Sequence, residues 1–413
     1  MPRPYHTYSH LFLTLLLSAI LMLVIFLSMN WMAYSIPADI IRDNAVNSQK
    51  ILSKEGNYPS GYFLFQRDNF TDGLMISMST MPTEGNSFRT SLLNPRYLPE
   101  NTEKSDLKNI SQEDDVSPDR FYARYWHGYQ LPLRLALIVG DIYVIRIINY
   151  VLLTLLLALA FYLIVKRKGK KVAIIFLISM IVIGFPIIPL CMQFSSNVYI
   201  TLAAVIIILW FKEYFDKTER LICAFFIIGG TTAFVDLLTA PLMTLCIPLG
   251  VILYCYHDNN NTGIRSAILC TGSWGAGYGF IWASKWILST LVTGINIIGD
   301  AATNAATRTN GEIAWRGTFE TNIETYFLPT IVVLYLIFLG ICLFRAGTIS
   351  KMKRNSYLLI LALYPPIWVT VLHNHSVIHY WFVWRSFGGS LLCMMLFLFQ
   401  FHKCRKLIAH SGK

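Results

Sequence analysis

Apolar runs separated by short polar or basic breaks make up most of the chain, and their lengths predict membrane-spanning helices. The runs fall at 11–33, 142–165, 172–184, 197–211, 221–235, 240–255, 266–292, 326–344, 356–372 and from Ser386 onward. The first is too long for a signal-peptide core and has no small-x-small cleavage pattern, so it reads as an uncleaved span. Two longer hydrophilic stretches interrupt the series, residues 34–130 and 293–325. The pattern predicts an all-α polytopic membrane protein, one transmembrane domain over 1–413, with about ten transmembrane helices and a long first external loop carrying surface helices.

Within that first loop the periodicity changes. Ser35-Ile36-Pro37 is a helix-start signal, and Ile41, Ala45, Ser48 and Leu52 recur at helical spacing, which predicts an amphipathic helix on the membrane surface. The segment from Pro99 to Asp119 is acidic and nearly free of apolar residues, so it reads as a solvated loop. A second surface helix is expected over 120–129, with Arg120, Arg124 and His127 on one face and Tyr122, Trp126 and Tyr129 on the other. Gly275, Gly277 and Gly279 alternate inside the seventh run and predict a close helix contact or a local irregularity.

Composition sharpens this picture. Hydrophobic residues are 55% of the chain and charged residues 14%. The net charge of +11 does not call for a nucleic-acid partner, because much of the Lys and Arg lies in short loops between apolar runs: 166–171, Lys212 to Arg220, Arg345 to Arg354 and 402–406. These clusters predict a cytoplasmic side, with 35–130 and 373–385 outside and both termini inside. All eight cysteines lie in apolar runs or at their ends, which implies no disulfide framework and no zinc-type spacing. No nucleotide-binding loop, internal repeat or soluble catalytic domain is present.

The unusual polar groups gather on the outer side of this topology. Between two apolar runs, the stretch 373–385 holds His373, Asn374, His375, Ser376, His379 and Arg385, and helical spacing stacks His375 on His379. Such a set can bind phosphate, move protons or hold a metal, and an aromatic stretch with Arg also serves as an interfacial anchor. Asp68 and Asp72 precede an apolar stretch at the expected membrane lip, and Asp236 stands in the break between the fifth and sixth runs, either capping a helix or facing a cavity. Lys285 lies inside the seventh run, where an ammonium either snorkels or reaches a wet cleft. With Arg124 and His127 these groups suit an enzyme that meets a lipid-linked, phosphate-bearing substrate, its cations on phosphate and a carboxylate as base. A lipid or polysaccharide transporter and a His-dependent membrane acyltransferase are the rival classes.

A long first external loop carrying an Asp and surface helices, followed by many spans, resembles the C-type (GT-C) integral-membrane glycosyltransferases. The segments 234–241, 282–286 and 374–379 also look like those of bacterial proteins of surface-polysaccharide synthesis. The resemblance implies a polyprenyl-phosphate-linked sugar as donor, a cell-surface glycan or lipid-linked acceptor, and a place in the bacterial plasma membrane among membrane lipids. It puts an acidic residue of the first loop in the role of base or metal holder, which falls on Asp72, with Asp68 and Asp39 as competitors. It places the donor phosphate on Lys285 and Arg385 with help from Arg124. The loop has no Asp-x-Asp pair, so either no cofactor or a divalent cation is compatible with it.

Overall fold

A computed structural model describes residues 4–60, 65–83, 85–96, 120–256, 260–309 and 355–411. Among them, five helical stretches are long and apolar enough to cross a membrane: Ser9–Ser35, Ile142–Lys168, Met192–Trp210, Thr218–Val235 and Tyr380–Gln400. These mark an integral membrane protein. In the first two stretches only 17% and 22% of the most apolar window is buried, against 67% in the third and 78% in the last. The first two therefore face outward toward lipid, and the last lies in the interior of the bundle.

The helices are α1 (Pro4–Ser35), α2 (Ala38–Glu55), α3 (Asn69–Thr80), α4 (Ser87–Leu93), α5 (Gln130–Val139), α6 (Ile142–Lys168), α7 (Lys170–Val182) and α8 (Met192–Trp210). They continue as α9 (Thr218–Val235), α10 (Met243–Tyr256), α11 (Asn260–Thr293), α12 (Ile297–Thr309), α13 (Ser356–Val371), α14 (His373–Ile378) and α15 (Phe387–Ser411). Nine of the ten apolar runs coincide with helices, and the run 326–344 lies outside the described residues. So do the acidic loop 99–119 and the basic loop 345–354. Helix α7 has 13 residues, which reach about 20 Å at 1.5 Å per residue and fall short of a hydrocarbon core of about 30 Å.

Helices α9 and α11 make the most extensive pairing. Small residues permit it: a Cβ on Gly229 would collide with the Trp274 carbonyl, and one on Gly277 with the Phe226 carbonyl. Of the three alternating glycines only Gly277 lies in this seam, since Gly275 and Gly279 face open space.

The surface helix expected after Pro37 is α2, and Ile41, Ala45, Ser48 and Leu52 are its buried face. The second expected surface helix does not form. Residues Arg120–Phe121 instead pair as strand β2 with β1 (Pro95–Arg96), and the chain then turns through His127, whose φ of 56° is left-handed. The Gly128 amide donates to the Phe234 carbonyl at 2.8 Å, and a Cβ there would collide with the Phe234 ring, so docking on the end of α9 overrides local helical spacing. Helix follows only as α5, a short apolar element stopped at Gly140 and separate from α6.

Candidate functional site

One end of the bundle collects the polar side chains, and the break between α9 and α10 is its hub. Helix α9 stops at Asp236, whose Oδ1 accepts from the Thr239 amide at 3.0 Å and from Asn197 Nδ2 at 2.8 Å. Leu238 is held at a left-handed φ of 66°, costly for a branched side chain, and its carbonyl meets His375 Nε2 at 3.0 Å. Asp236 is 3% exposed, yet its Oδ2 has no hydrogen-bond partner among the described residues. Burial pushes its carboxyl up to about 6, against the opposing pull of Asn197 and the Thr239 and Leu238 amides. One Asp236 oxygen thus organises the break between the two helices, and the other has no hydrogen-bond partner among the described residues.

The two acids of the first loop are fully buried. Asp68 caps α3 by accepting from the Thr71 amide at 2.9 Å, and its Oδ2 accepts from Trp381 Nε1 at 3.1 Å. Asp72 accepts from the Met192 and Gln193 amides at 3.1 and 3.2 Å, so it caps α8 from outside that helix. Burial and the neighbouring Asp68 carboxylate push Asp72 up to about 7. The base role expected for Asp72 therefore meets a carboxylate whose two oxygens already serve a helix terminus. Asp39 is far more exposed and pairs with Arg42 at 3.7 Å on the surface of α2.

Gln193 joins these acids to the helix break: its amide serves Asp72, and its side-chain Nε2 donates to Thr239 Oγ1 at 3.1 Å. On the other flank, Trp381 leads from Asp68 to His379, ring centroids 5.4 Å apart, and His379 stands 4.7 Å from His375. The two imidazoles are neighbours as expected but tilted by 57° rather than stacked, and the chain carries them across the end of α14 and a kink rather than along one continuous helix. Burial, and for His375 also its His379 neighbour, lowers both rings; His379 falls to about 4. Both are neutral at pH 7. His373 is half-buried at the start of α14. Arg385 lies over the Phe194 ring at 3.8 Å, donates to the Trp381 carbonyl at 2.8 Å and acts electrostatically on Asp68.

Lys285, Arg124 and His127 belong to a different cluster. Lys285 is fully buried, and its ammonium donates to the Ser91 and Leu92 carbonyls at 3.1 and 2.9 Å, capping the C-terminus of α4 over the Trp126 ring. In the structure this cap engages the Lys285 ammonium and offsets the cost of a buried charge. Arg124 pairs with Asp300 at 3.4 Å and lies over the Tyr122 ring. His127 bonds the Tyr129 hydroxyl and the Tyr122 carbonyl, and burial lowers its imidazole to about 3.

An apolar groove of about 400 Å³ lies between α5, α6 and α8. Among its lining residues, Met75 follows Asp72 by one turn, the Met192 amide donates to Asp72, and Val235 precedes Asp236. Gln193, Asn197, Tyr278, Trp282, Arg308 and Trp381 complete the surroundings. Trp282 falls in the segment 282–286 and Trp381 in the stretch 373–385 that the sequence singled out, whereas Gln193, Asn197, Tyr278 and Arg308 are ordinary residues in apolar runs or loops. Among the described residues no three His, Cys, Asp or Glu side chains converge in a way that could hold a metal ion. No protein-family model, curated protein or solved structure matches this chain.

Proposed function

We infer that the protein transfers a sugar from a polyprenyl-phosphate donor to a glycan or lipid-linked acceptor at the outer face of the membrane. One observation carries the reading: an apolar groove of about 400 Å³ is walled in part by Met75, Met192 and Val235, neighbours in the chain or through a hydrogen bond of the buried carboxylates Asp72 and Asp236. A lipid-linked sugar needs that juxtaposition, since its tail must stay in an apolar medium while its anomeric carbon reaches a base.

In this mechanism the acceptor hydroxyl attacks the anomeric carbon, the bond from that carbon to the phosphate oxygen breaks, and polyprenyl phosphate leaves. Asp236 takes the hydroxyl proton on its unspent Oδ2. Arg385 offsets the charge that grows on the leaving phosphate. Asp68 and Asp72 hold Trp381 and the start of α8 in place around them. The ten-span arrangement, the likeness to C-type glycosyltransferases, the outward orientation of this end and the bacterial plasma membrane all belong to the same proposal. Acyl transfer by a His would call for an imidazole backed by a carboxylate, whereas His375 is held by the Leu238 carbonyl.

The test uses purified protein with radiolabelled polyprenyl-phosphate hexose, alongside Ser196→Trp, which fills the groove from α8. Wild type should bind the donor, and the variant should need at least about tenfold more for half-saturation, a loss of roughly 1.4 kcal/mol. No donor binding by wild type, or equal binding by both, would sink the reading.

A further inference from the structure

Helix α11 carries a ladder of aromatic rings that the donor mechanism does not use. Trp274, Tyr278, Trp282 and Trp286 recur every fourth residue, with successive centroids 5.0, 5.1 and 5.6 Å apart. The ladder runs from the half-buried Trp286 and Trp282 inward to the buried Tyr278 and Trp274. Its polar atoms are spent unevenly. Trp286 Nε1 donates to the Arg124 carbonyl at 2.9 Å and Trp274 Nε1 to Thr244 Oγ1 at 3.1 Å. Trp282 Nε1 and the Tyr278 hydroxyl, both buried atoms, have no hydrogen-bond partner among the described residues.

Three more buried polar atoms lack a hydrogen-bond partner among the described residues: Asp236 Oδ2, His375 Nδ1 and His379 Nδ1. Several contacts bring them together. Trp274 is bonded to Thr244 just beyond the helix break, which sets Tyr278, one turn on, within the electrostatic reach of Asp236. Arg308 donates to the Tyr125 hydroxyl at 2.6 Å, and the Tyr125 ring meets Trp282 edge-on at 5.9 Å. The same guanidinium acts on Tyr278, His375 and His379, and Asn374 ties α14 to α12 through the Thr307 carbonyl at 2.6 Å.

The chemistry of these atoms selects a ligand class. They comprise the Asp236 oxygen and His375 Nδ1, which only accept because His375 Nε2 already donates to the Leu238 carbonyl, an indole N–H that only donates, and a phenol and the His379 Nδ1 that do either. Phosphate offers acceptors alone and would be repelled by the Asp236 carboxylate. A metal ion would find no use for an indole N–H. A ring bearing neighbouring hydroxyls is donor and acceptor at each oxygen and presents C–H faces to aromatic rings, so it matches the whole set.

We propose that Asp236, Tyr278, Trp282, His375 and His379 form a subsite for an uncharged sugar ring, which under the transferase reading is the terminal ring of the acceptor. The assignment of the ring to the acceptor rests on that reading; the affinity for an uncharged sugar does not. The subsite delivers one hydroxyl of the ring to Asp236 while Trp282 and Tyr278 hold its face.

The experiment is saturation-transfer NMR on the full-length protein in detergent, titrated with the methyl glycosides of glucose, galactose and N-acetylglucosamine. At least one should saturate. Tyr278→Phe, which keeps the ring and removes the hydroxyl, and Trp282→Phe, which keeps a smaller aromatic face and removes the N–H, should each weaken it about three- to tenfold, the loss of one hydrogen bond. Thermal unfolding midpoints equal to wild type show that both variants are folded; a variant with a lowered midpoint is replaced by His379→Gln for the same comparison. Sodium phosphate should not compete. Saturation by none of the three sugars, equal affinity in the folded variants, or competition by phosphate overturns the proposal. Polyprenyl-phosphate binding measured on the same samples separates the two readings. Sugar binding without donor binding keeps the subsite and removes the transferase, and donor binding without sugar binding does the reverse.

Discussion

Replacing Asp236 by Asn separates the two jobs of that side chain. An Asn Oδ1 can still accept from Asn197 and from the Thr239 amide, so the helix break keeps both bonds, but the unspent oxygen becomes an amide that cannot take a proton. The folded carboxyl titrates at about 6 rather than 3.8 because it is buried. That rise of roughly two units corresponds to about 3 kcal/mol at 1.36 kcal/mol per unit. Its sign follows from proton binding: the folded state holds the proton more tightly, so this stability is complete below about pH 3.8 and is lost as pH rises through about 6. Asn has no such dependence, though its unpartnered NH₂ costs about 1–3 kcal/mol at every pH. The stability of Asp236→Asn relative to wild type should therefore swing by about 3 kcal/mol in the variant's favour between about pH 3 and pH 8. Thermal unfolding in one detergent across that range measures the swing. Sugar transfer should fall by about 10²–10⁴-fold while polyprenyl-phosphate binding is kept. Parallel pH profiles for the two proteins would show that the carboxyl is not held as described, and near-normal transfer would remove it as the base.

Two further substitutions test the cap assignments. Asp72→Ala takes both acceptors from the start of α8 and should lower stability by about 1–2 kcal/mol, seen as a lower thermal midpoint, with activity falling in step; an unchanged midpoint would refute the cap. Lys285→Met leaves the Ser91 carbonyl without its donor, while Ser289 Oγ still serves Leu92, so the expected cost is about 1–3 kcal/mol with polyprenyl-phosphate affinity unchanged. A stable variant with weakened donor binding would return Lys285 to the phosphate.

Residue-by-residue comparison shows where local pattern suffices. The surface helix α2 was legible because Ile41, Ala45, Ser48 and Leu52 bury on one face whatever they pack against. The segment 120–129 was not, because its spacing suits a helix while its partners, β1 and the end of α9, come from elsewhere in the chain. Among the acids, Asp72 and Asp236 look alike in sequence: each is an Asp beside an apolar stretch. They are told apart by their partners: α8 brings two backbone amides to Asp72, whereas Asp236 takes the amide of Thr239 three residues on and the Asn197 side chain.

By itself the sequence determined the solvent of the chain, most of its helices and the short list of polar residues that a membrane protein cannot place casually. Transfer free energy and helical periodicity act residue by residue, and both can be read along a line. Tertiary structure alone decided how those residues are spent. Lys285 became a helix cap, Asp72 a brace for α8, and Asp236 a carboxylate with one oxygen to spare. A buried polar group is defined by the partners that close over it, and here those partners lie on helices far apart in the chain.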